Sequence, residues 1–142
     1  MIRVFIIISF LFLYGCSTFK KDVVECPKLT APKKAAEIVV NSEGNSPVYL
    51  GFRGVQKFCF KDGDDIKMEL SVYIRAIRND TTEEDYVPVS ISAVSIDLNE
   101  KEFDRDEFSY SHFLLKGSRI VDRATTFDLK VPARGQVLLG IK

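Results

Sequence analysis

The sequence has little of several things that specialised proteins need. In 142 residues it contains no Trp, one His and three Cys, and its 20 basic residues balance its 20 acidic ones. A single His excludes most zinc sites and most His-dependent catalytic sets. The zero net charge argues against a dedicated nucleic-acid binder, whose footprint is strongly basic. With 8 Gly, 5 Pro and 46% hydrophobic residues, the chain is neither collagen-like nor disordered, and it has the length of one domain.

Long apolar runs are also absent, apart from one near the start. Residues 4–14 form an eleven-residue apolar run that follows Arg3. A membrane-spanning helix needs roughly 20 apolar residues, so this run is too short to cross a bilayer. Its length is typical of the hydrophobic region of a secretory signal.

The residues at the end of this run suggest a lipid anchor. The sequence Leu13-Tyr14-Gly15-Cys16 resembles a bacterial lipobox, with a Leu three residues before the Cys and a small residue directly before it. Tyr14 departs from that pattern, in which a smaller residue is usual. The resemblance implies a signal peptide of residues 1–15, cleavage before Cys16, acylation of Cys16 and a mature chain of residues 16–142. The alternatives are a plain signal peptide with a chance Cys and a buried apolar N-terminal strand.

The predicted anchor also indicates a compartment. Each buried methylene of an acyl chain contributes about 0.8 kcal/mol to membrane binding, so several chains hold a protein on a membrane. Ser17 follows Cys16, whereas Asp at that place commonly means retention at the inner membrane in lipoproteins of two-membrane bacteria. The resemblance therefore favours the outer membrane, with the domain facing the periplasm. In a one-membrane bacterium the same anchor implies the cell surface.

The two remaining cysteines predict a disulfide. Once Cys16 carries lipid, Cys26 and Cys59 form an even number of thiols in an exported protein. The periplasm is kept oxidising, so a Cys26–Cys59 bridge is the default, and two buried thiols are the alternative. Residues 16–36 are rich in Lys, Pro and small polar residues and are interpreted as a tether to a domain of residues 37–142. Residues 20–34 carry five Lys against two acids, so the tether either contacts anionic headgroups or stays solvated.

From residue 36 onward the hydrophobic period is two, which indicates strands. Residues 66–76 alternate strictly, with one apolar face and one polar face, as in an antiparallel sheet that covers a core. The Asp- and Gly-rich residues 61–65 before them are typical of a turn. Residues 53–60 and 66–78 are therefore predicted to form a hairpin.

Further strands are predicted after this hairpin. Residues 86–93 and 94–98 read as two strands whose apolar phase slips near Ala93, where a bulge or bend is expected. Residues 125–131 and 137–141 are predicted to form a second hairpin across a four-residue connection. Weaker strands are predicted at the positions 37–40, 47–52 and 113–121.

This spacing of short strands predicts an all-β fold, namely an immunoglobulin-like antiparallel β-sandwich of about seven strands. The immunoglobulin Trp is absent and the Cys pair is not placed like the inter-sheet bridge, so only the architecture is predicted. Residues 99–112 are predicted to hold either a short helical turn, capped by Asn99, or an acidic loop. Residues 79–107 contain ten acidic residues and two basic ones.

The mature chain resembles a group of small proteobacterial cell-envelope lipoproteins. The features that carry the resemblance are Cys26-Pro27 shortly after the lipid Cys, Cys59 about thirty residues on, the long alternating strand and a closing apolar strand with Gly140. The resemblance implies an envelope location and a disulfide, and it carries no activity.

Several groups of side chains are candidate binding sites, and each of them also has a purely structural explanation. Asp62, Asp64 and Asp65 around Gly63 have ligand oxygens for calcium, but the EF-hand spacing is missing and a solvated turn is the alternative. The acidic stretch 80–85 suits a cation or a basic partner, or it is a solvated loop. His112 is interpreted as a partly exposed residue at a strand start. Six aromatic residues either form a surface that binds sugar or peptide or simply belong to the core. They are Phe58, Phe60, Phe103, Phe108, Tyr110 and Phe113.

These features predict a function only in outline. No catalytic residue, metal ligand or cofactor site is identified, and the chain is not expected to be an enzyme or to bind nucleic acid. The leading hypothesis is a lipid-anchored envelope module that binds another envelope protein, since the edge strands of a sandwich can accept a partner strand. The alternative is a periplasmic lipoprotein that binds a glycan, a peptide or a cation.

Overall fold

The computed structural model describes residues 21–142, which form a β-sandwich of two four-stranded sheets. Sheet A has the strand order β2-β3-β4-β7, and sheet B has the order β1-β8-β5-β6. All neighbouring strands are antiparallel except β1 and β8, which run parallel. The elements are β1 (Lys28–Thr30), α1 (Lys33–Ala36), β2 (Glu37–Asn41), β3 (Pro47–Asp62), β4 (Asp65–Arg78), β5 (Asp85–Ile96), β6 (Glu102–Leu114), β7 (Ile120–Val131) and β8 (Gln136–Ile141).

The fold class predicted from the sequence is confirmed, with eight strands instead of about seven. The core lies between the sheets and is formed by alternate side chains of their inner faces. In β4 the inner face is fully buried along its length, from Met68 to Ala76. The side chains of this strand pack with buried residues of both sheets, among them Leu50, Ile91, Phe127, Leu129 and Leu139.

The predicted hairpin is confirmed and is longer than expected. Residues 47–52, predicted as a separate weak strand, join residues 53–60 in the single strand β3. The pairing register between β3 and β4 shifts between Phe52 and Gly54, which places a β-bulge at Arg53. At the other end Asp62 pairs with Asp65 across a two-residue turn, in which Gly63 takes a positive φ of 63°.

The predicted phase slip near Ala93 is wrong, because residues 85–96 form one strand, β5. Its inner face continues from Ile91 through Ala93 to Ser95, and all three are buried. The irregularity in pairing with β6 lies between Ser95 and Ile96 instead. Ser95 is polar, so it breaks the apolar alternation in the sequence. Its buried hydroxyl donates a hydrogen bond to the Lys130 carbonyl of β7 at 2.6 Å, which removes the cost of placing it inside.

The helical turn or acidic loop predicted at residues 99–112 is also wrong. Asn99 lies in the turn before β6, where its backbone N–H donates to the Asp97 carboxylate at 2.8 Å, and strand β6 begins at Glu102. The charged residues are accommodated on both faces of this edge strand. On the outer face the Arg105 guanidinium binds the carboxylates of Glu102 and Glu107 at 2.8 and 2.7 Å.

The last two strands do not form the predicted hairpin. Both exist close to the predicted positions, but β7 belongs to sheet A beside β4 and β8 belongs to sheet B beside β5. The connection at residues 132–135 therefore crosses from one sheet to the other. The weak strand predicted at residues 113–121 is wrong too, because this stretch contains the end of β6, a turn and the start of β7.

The N-terminal segment, interpreted as part of a tether, is paired with both sheets within the described residues. Val23 forms a bridge with Phe60 of sheet A, and β1 then pairs with β8 of sheet B. After α1 the chain returns to sheet A as β2. Strand β1 was not predicted from the sequence, and pairing with the sheets begins before residue 37.

Candidate functional site

The outer edge of β3 is only partly covered by other strands. At one end, Lys61 N–H donates to the Asp22 carbonyl at 2.8 Å and Val24 N–H donates to the Cys59 carbonyl at 3.0 Å. At the other end, β2 pairs with β3 from Pro47 to Gly51. Between these two contacts the chain crosses to sheet B and back. Among the residues that the structure describes, no strand pairs with the outer edge of residues 52–58.

The backbone groups that face this open edge follow from the alternation of hydrogen bonds in an antiparallel sheet. Cys59 and Lys61 direct their N–H and C=O groups away from β4, toward the segment that contains Val24. The groups of every second residue therefore point the same way, and those of Val55 and Lys57 face outward. The residues between them, such as Gln56, direct their groups to β4. The open edge thus includes Val55 and Lys57, whose outward donors and acceptors are not bound by any strand of the described residues.

Most side chains of this edge are exposed, and two of them are basic. Arg53, Gln56, Lys57 and Phe58 are all exposed, and Phe58 is 58% exposed. Val55 is half-buried and packs against the core. Within residues 21–142 neither Arg53 nor Lys57 forms an ion pair. Lys57 lies opposite the buried Leu70, so it stands on the core side of the strand and still reaches solvent.

The disulfide fixes the point at which the chain leaves sheet A. Cys26 and Cys59 are bonded, as the sequence predicted, with their Cα atoms 5.2 Å apart. The bridge holds the segment after Val24 beside β3 and directs it toward sheet B. It therefore defines one end of the open edge.

The outer edge of β7 differs from that of β3, because side chains of sheet B cover it. The Asp104 carboxylate accepts a hydrogen bond from Lys130 N–H at 2.7 Å, and the Asp106 carboxylate accepts one from Asp128 N–H at 3.0 Å. Bonding of this kind protects an edge from pairing with other chains. The open edge of β3 has no such cover among the described residues.

The aspartates proposed for calcium lie at the β3–β4 turn and do not form a cation site. The Asp62 carboxylate lies 3.4 Å from the Lys130 ammonium, which makes an ion pair instead. Among residues 21–142 no group of three or more His, Cys, Asp and Glu side chains is arranged to hold a metal ion.

The acidic stretch 80–85 forms a loop at the opposite end of the sandwich and borders a cleft of about 180 Å³. Asp80 accepts hydrogen bonds from the Thr82 backbone N–H and hydroxyl at 3.0 and 2.7 Å, and these bonds lower the pKa of its carboxyl. Hydrogen bonding to the Ser42 side chain lowers the pKa of the Asp85 carboxyl, which also accepts Gly44 N–H at 3.1 Å. These two carboxylates stabilise the loop itself.

The buried Arg78 lies beneath this loop. Its guanidinium donates to the backbone carbonyls of Ser118 and Leu115 at 3.2 and 2.6 Å, which ties the end of β4 to the β6–β7 turn. The alternation of β4 places Arg78 on the inner face, but no local pattern indicates that its guanidinium binds the carbonyls of the β6–β7 turn.

His112 differs from its predicted position at a strand start. It lies near the end of β6, faces the core and is 1% exposed. Its Nδ1 is 3.3 Å from the Tyr110 hydroxyl, and its Nε2 has no hydrogen-bond partner among the described residues. Burial lowers the pKa of His112 and raises the pKa of Tyr110 to about 12. Arg123 of β7 lies over the Tyr110 ring, 4.1 Å from its centre.

The aromatic residues do not form one binding face. Phe58 and Phe60 lie on β3, where the Lys21 ammonium is 4.6 Å from the centre of the Phe60 ring. Phe113 lies on sheet B, where its ring contacts that of Tyr86 at 5.0 Å between centres. Phe108 and Tyr110 lie on the inner side of β6, where Tyr110 packs against the core. The aromatic side chains therefore lie on several separate surfaces of the two sheets.

The predicted lipidation site, Cys16, lies outside the described residues, as does the predicted signal peptide of residues 1–15. Within residues 21–142 no helix is long and apolar enough to span a membrane. Comparison with protein-family models, with curated proteins and with solved structures finds no match.

Proposed function

We propose that this protein is a lipid-anchored cell-envelope protein whose β-sandwich is a protein-interaction module. The observation that carries the proposal is the outer edge of β3, where no strand of the described chain pairs with residues 52–58 and most of their side chains are exposed. An unpaired strand edge is a ready template for a strand of another protein. The lipobox-like residues around Cys16 support the anchor, and Ser17 supports the outer membrane.

The anchored form is tested by the intact mass of protein extracted from membranes. The proposal expects a chain that begins at Cys16, carries acyl chains and has lost two protons in the Cys26–Cys59 bridge. A polypeptide that begins at Met1 and carries no lipid contradicts the anchor.

The interaction role is tested by cross-linking in intact cells, followed by purification from detergent-solubilised envelope. The proposal expects one envelope protein in stoichiometric amount, cross-linked through residues of β3. Recovery of this chain alone in repeated experiments contradicts an interaction module.

A second candidate function is the binding of a small ligand. It is favoured by a groove of about 510 Å³, a volume within the range of ligand sites. Apolar residues including Val40 and Pro88 line it together with the hydroxyls of Ser90, Ser109 and Ser111. Thermal unfolding in the presence of peptidoglycan fragments, simple sugars and calcium tests this function, which expects a raised midpoint with one of them. An unchanged midpoint with all of them contradicts it.

A further inference from the structure

We propose that residues 52–58 of β3 bind an extended acidic segment of a partner protein as an added strand of sheet A. This inference rests on the proposed interaction role and specifies the chemistry of the partner. Two observations support it: no described strand pairs with the outer edge of residues 52–58, and Arg53 and Lys57 in this stretch are exposed cations.

The geometry of the edge suits one short strand. The segment around Val23 and strand β2 both run antiparallel to β3 along the same edge, with the gap between them. Seven residues of an extended chain span roughly 23 Å. An added strand of about five residues fits this space, in line with the two flanking segments. Its backbone would complete the hydrogen bonds of Val55 and Lys57, whose donors and acceptors face outward.

The charges of the edge select an acidic occupant. Arg53 and Lys57 are exposed and without ion pairs among the described residues. Acidic side chains of an added strand would lie across from them, and opposite charges on paired strands are favourable. Phe58 adds an exposed apolar side chain beside these cations.

The same charges disfavour a second copy of this chain. Antiparallel pairing of two β3 edges would bring Arg53 and Lys57 of both copies, four cations in all, onto one short stretch of strand. Like charges brought close together on paired strands repel each other. A charged residue on the core side of an edge strand, as at Lys57, also guards against indiscriminate pairing. The edge can therefore accept an acidic strand, whereas pairing between the β3 edges of two copies of this chain is disfavoured.

The test uses the full mature protein in detergent micelles and two labelled peptides. One peptide alternates Glu and Val over seven residues, and the other alternates Lys and Val. Fluorescence anisotropy gives the two affinities, and hydrogen exchange read by mass spectrometry locates the contact. We expect the Glu peptide to bind at least tenfold more tightly and to slow amide exchange within residues 52–58. Equal affinities, or slowed exchange elsewhere, would overturn the proposal.

Three variants sharpen the test. Lys57→Glu reverses a charge at the edge, and Lys116→Glu makes the same change in an exposed turn at the other end of the sandwich. We expect only Lys57→Glu to weaken binding of the Glu peptide, by tenfold or more. Lys57→Pro removes an outward N–H without breaking the pairing with β4 and should weaken binding too. Equal weakening by Lys57→Glu and Lys116→Glu would overturn the proposal, since it would indicate a general charge effect.

The outcomes separate this inference from the proposed function. If a stoichiometric envelope partner is recovered but the Glu peptide does not bind, the partner chemistry is wrong and the interaction role stands. If the peptide binds at residues 52–58 but the chain carries no lipid, the edge assignment stands and the anchor is wrong. A dimer in sedimentation, with residues 52–58 protected in the absence of peptide, would overturn the acidic partner in favour of a second copy.

Discussion

The Asp104 carboxylate in β6 accepts a hydrogen bond from the Lys130 backbone N–H in β7 at 2.7 Å, so a side chain of one sheet covers the edge of the other. Asp106 repeats the contact two residues on, with Asp128 N–H. The two sheets are therefore joined along this side by polar bonds in addition to the core. Along residues 52–58, the open edge of β3, no side chain of the described residues covers the backbone in this way.

The first prediction concerns Asp104. Asp104→Ala removes the bond to Lys130 N–H and uncovers the edge of β7. We expect the free energy of unfolding to fall by about 1–2 kcal/mol, because the acceptor is charged, and self-association to increase. Urea denaturation and light scattering measure the two effects. Glu84→Ala, in an exposed loop, is the control and should change neither quantity; an equal effect of both variants contradicts the assignment.

The second prediction concerns the disulfide. Cys26 and Cys59 are 33 residues apart, and a bridge over a loop of this length restricts the unfolded chain by roughly 3–4 kcal/mol in the entropic model. We expect the double variant Cys26→Ser/Cys59→Ser to lose about this much stability in denaturant. Adding a reductant should destabilise the natural protein and leave the double variant unchanged. A reductant effect on the double variant would point to another cause.

The third prediction concerns pH and His112. Burial lowers the pKa of this residue in the folded protein, opposed by the nearby Val121 backbone and by the charge of Asp122. The unfolded chain therefore binds more protons as the pH falls through about 6.5, and the folded state loses stability. We expect stability to decrease from pH 7 to pH 5 and this slope to be smaller in His112→Leu.

Five carboxyl groups have lowered pKa values, and their titration does not obscure this effect. The pKa values of Asp80, Asp85, Asp122, Glu102 and Glu107 are lowered in the folded protein, so the stability that these groups contribute is lost only as the pH falls below their unfolded values near 4. Chemical denaturation at half-unit steps between pH 5 and 7 isolates His112. Identical slopes in the natural protein and in His112→Leu would contradict its role.

The fourth prediction compares two glycines. A Cβ atom on Gly135 would lie 2.7 Å from the Ile96 carbonyl oxygen, whereas one on Gly54 would meet no atom within 4 Å. We expect Gly135→Ala to destabilise the domain by about 1–3 kcal/mol through this clash. Gly54→Ala should be neutral or slightly stabilising, since Ala restricts the unfolded chain. Thermal or urea unfolding of both variants gives the comparison, and equal losses would contradict it.

The sequence predicted those strands in which apolar and polar side chains alternate without interruption. The alternation from Ile66 to Ile74 predicted β4 because its apolar face is continuous. It failed at β6, where inward Asp104 and Asp106 bind backbone groups of a strand that is distant in the sequence. It also misjudged Ser95, whose buried hydroxyl is satisfied by Lys130. Polar residues on an inner face hide the period of a strand, since their partners are not local.

The open edge of β3 could not be predicted, because it depends on the route of the preceding chain. Nothing in residues 25–36 indicates that they cross to sheet B and return. The local signals were Arg53 and Lys57, cations within an otherwise strand-like run. The disulfide was predictable from the number of cysteines together with the predicted export signal, and both partners lie where the chain passes β3.

In the proposed form that is anchored at Cys16, the Cys26–Cys59 bridge has a mechanical consequence. Tension from that end meets the short contact of Val23 with Phe60 first and then the covalent bond into β3. Strand β3 shares fourteen paired positions with β4, so the load passes into the longest pairing of sheet A before it reaches β1. The three-residue strand β1 is therefore not the first pairing to carry the load.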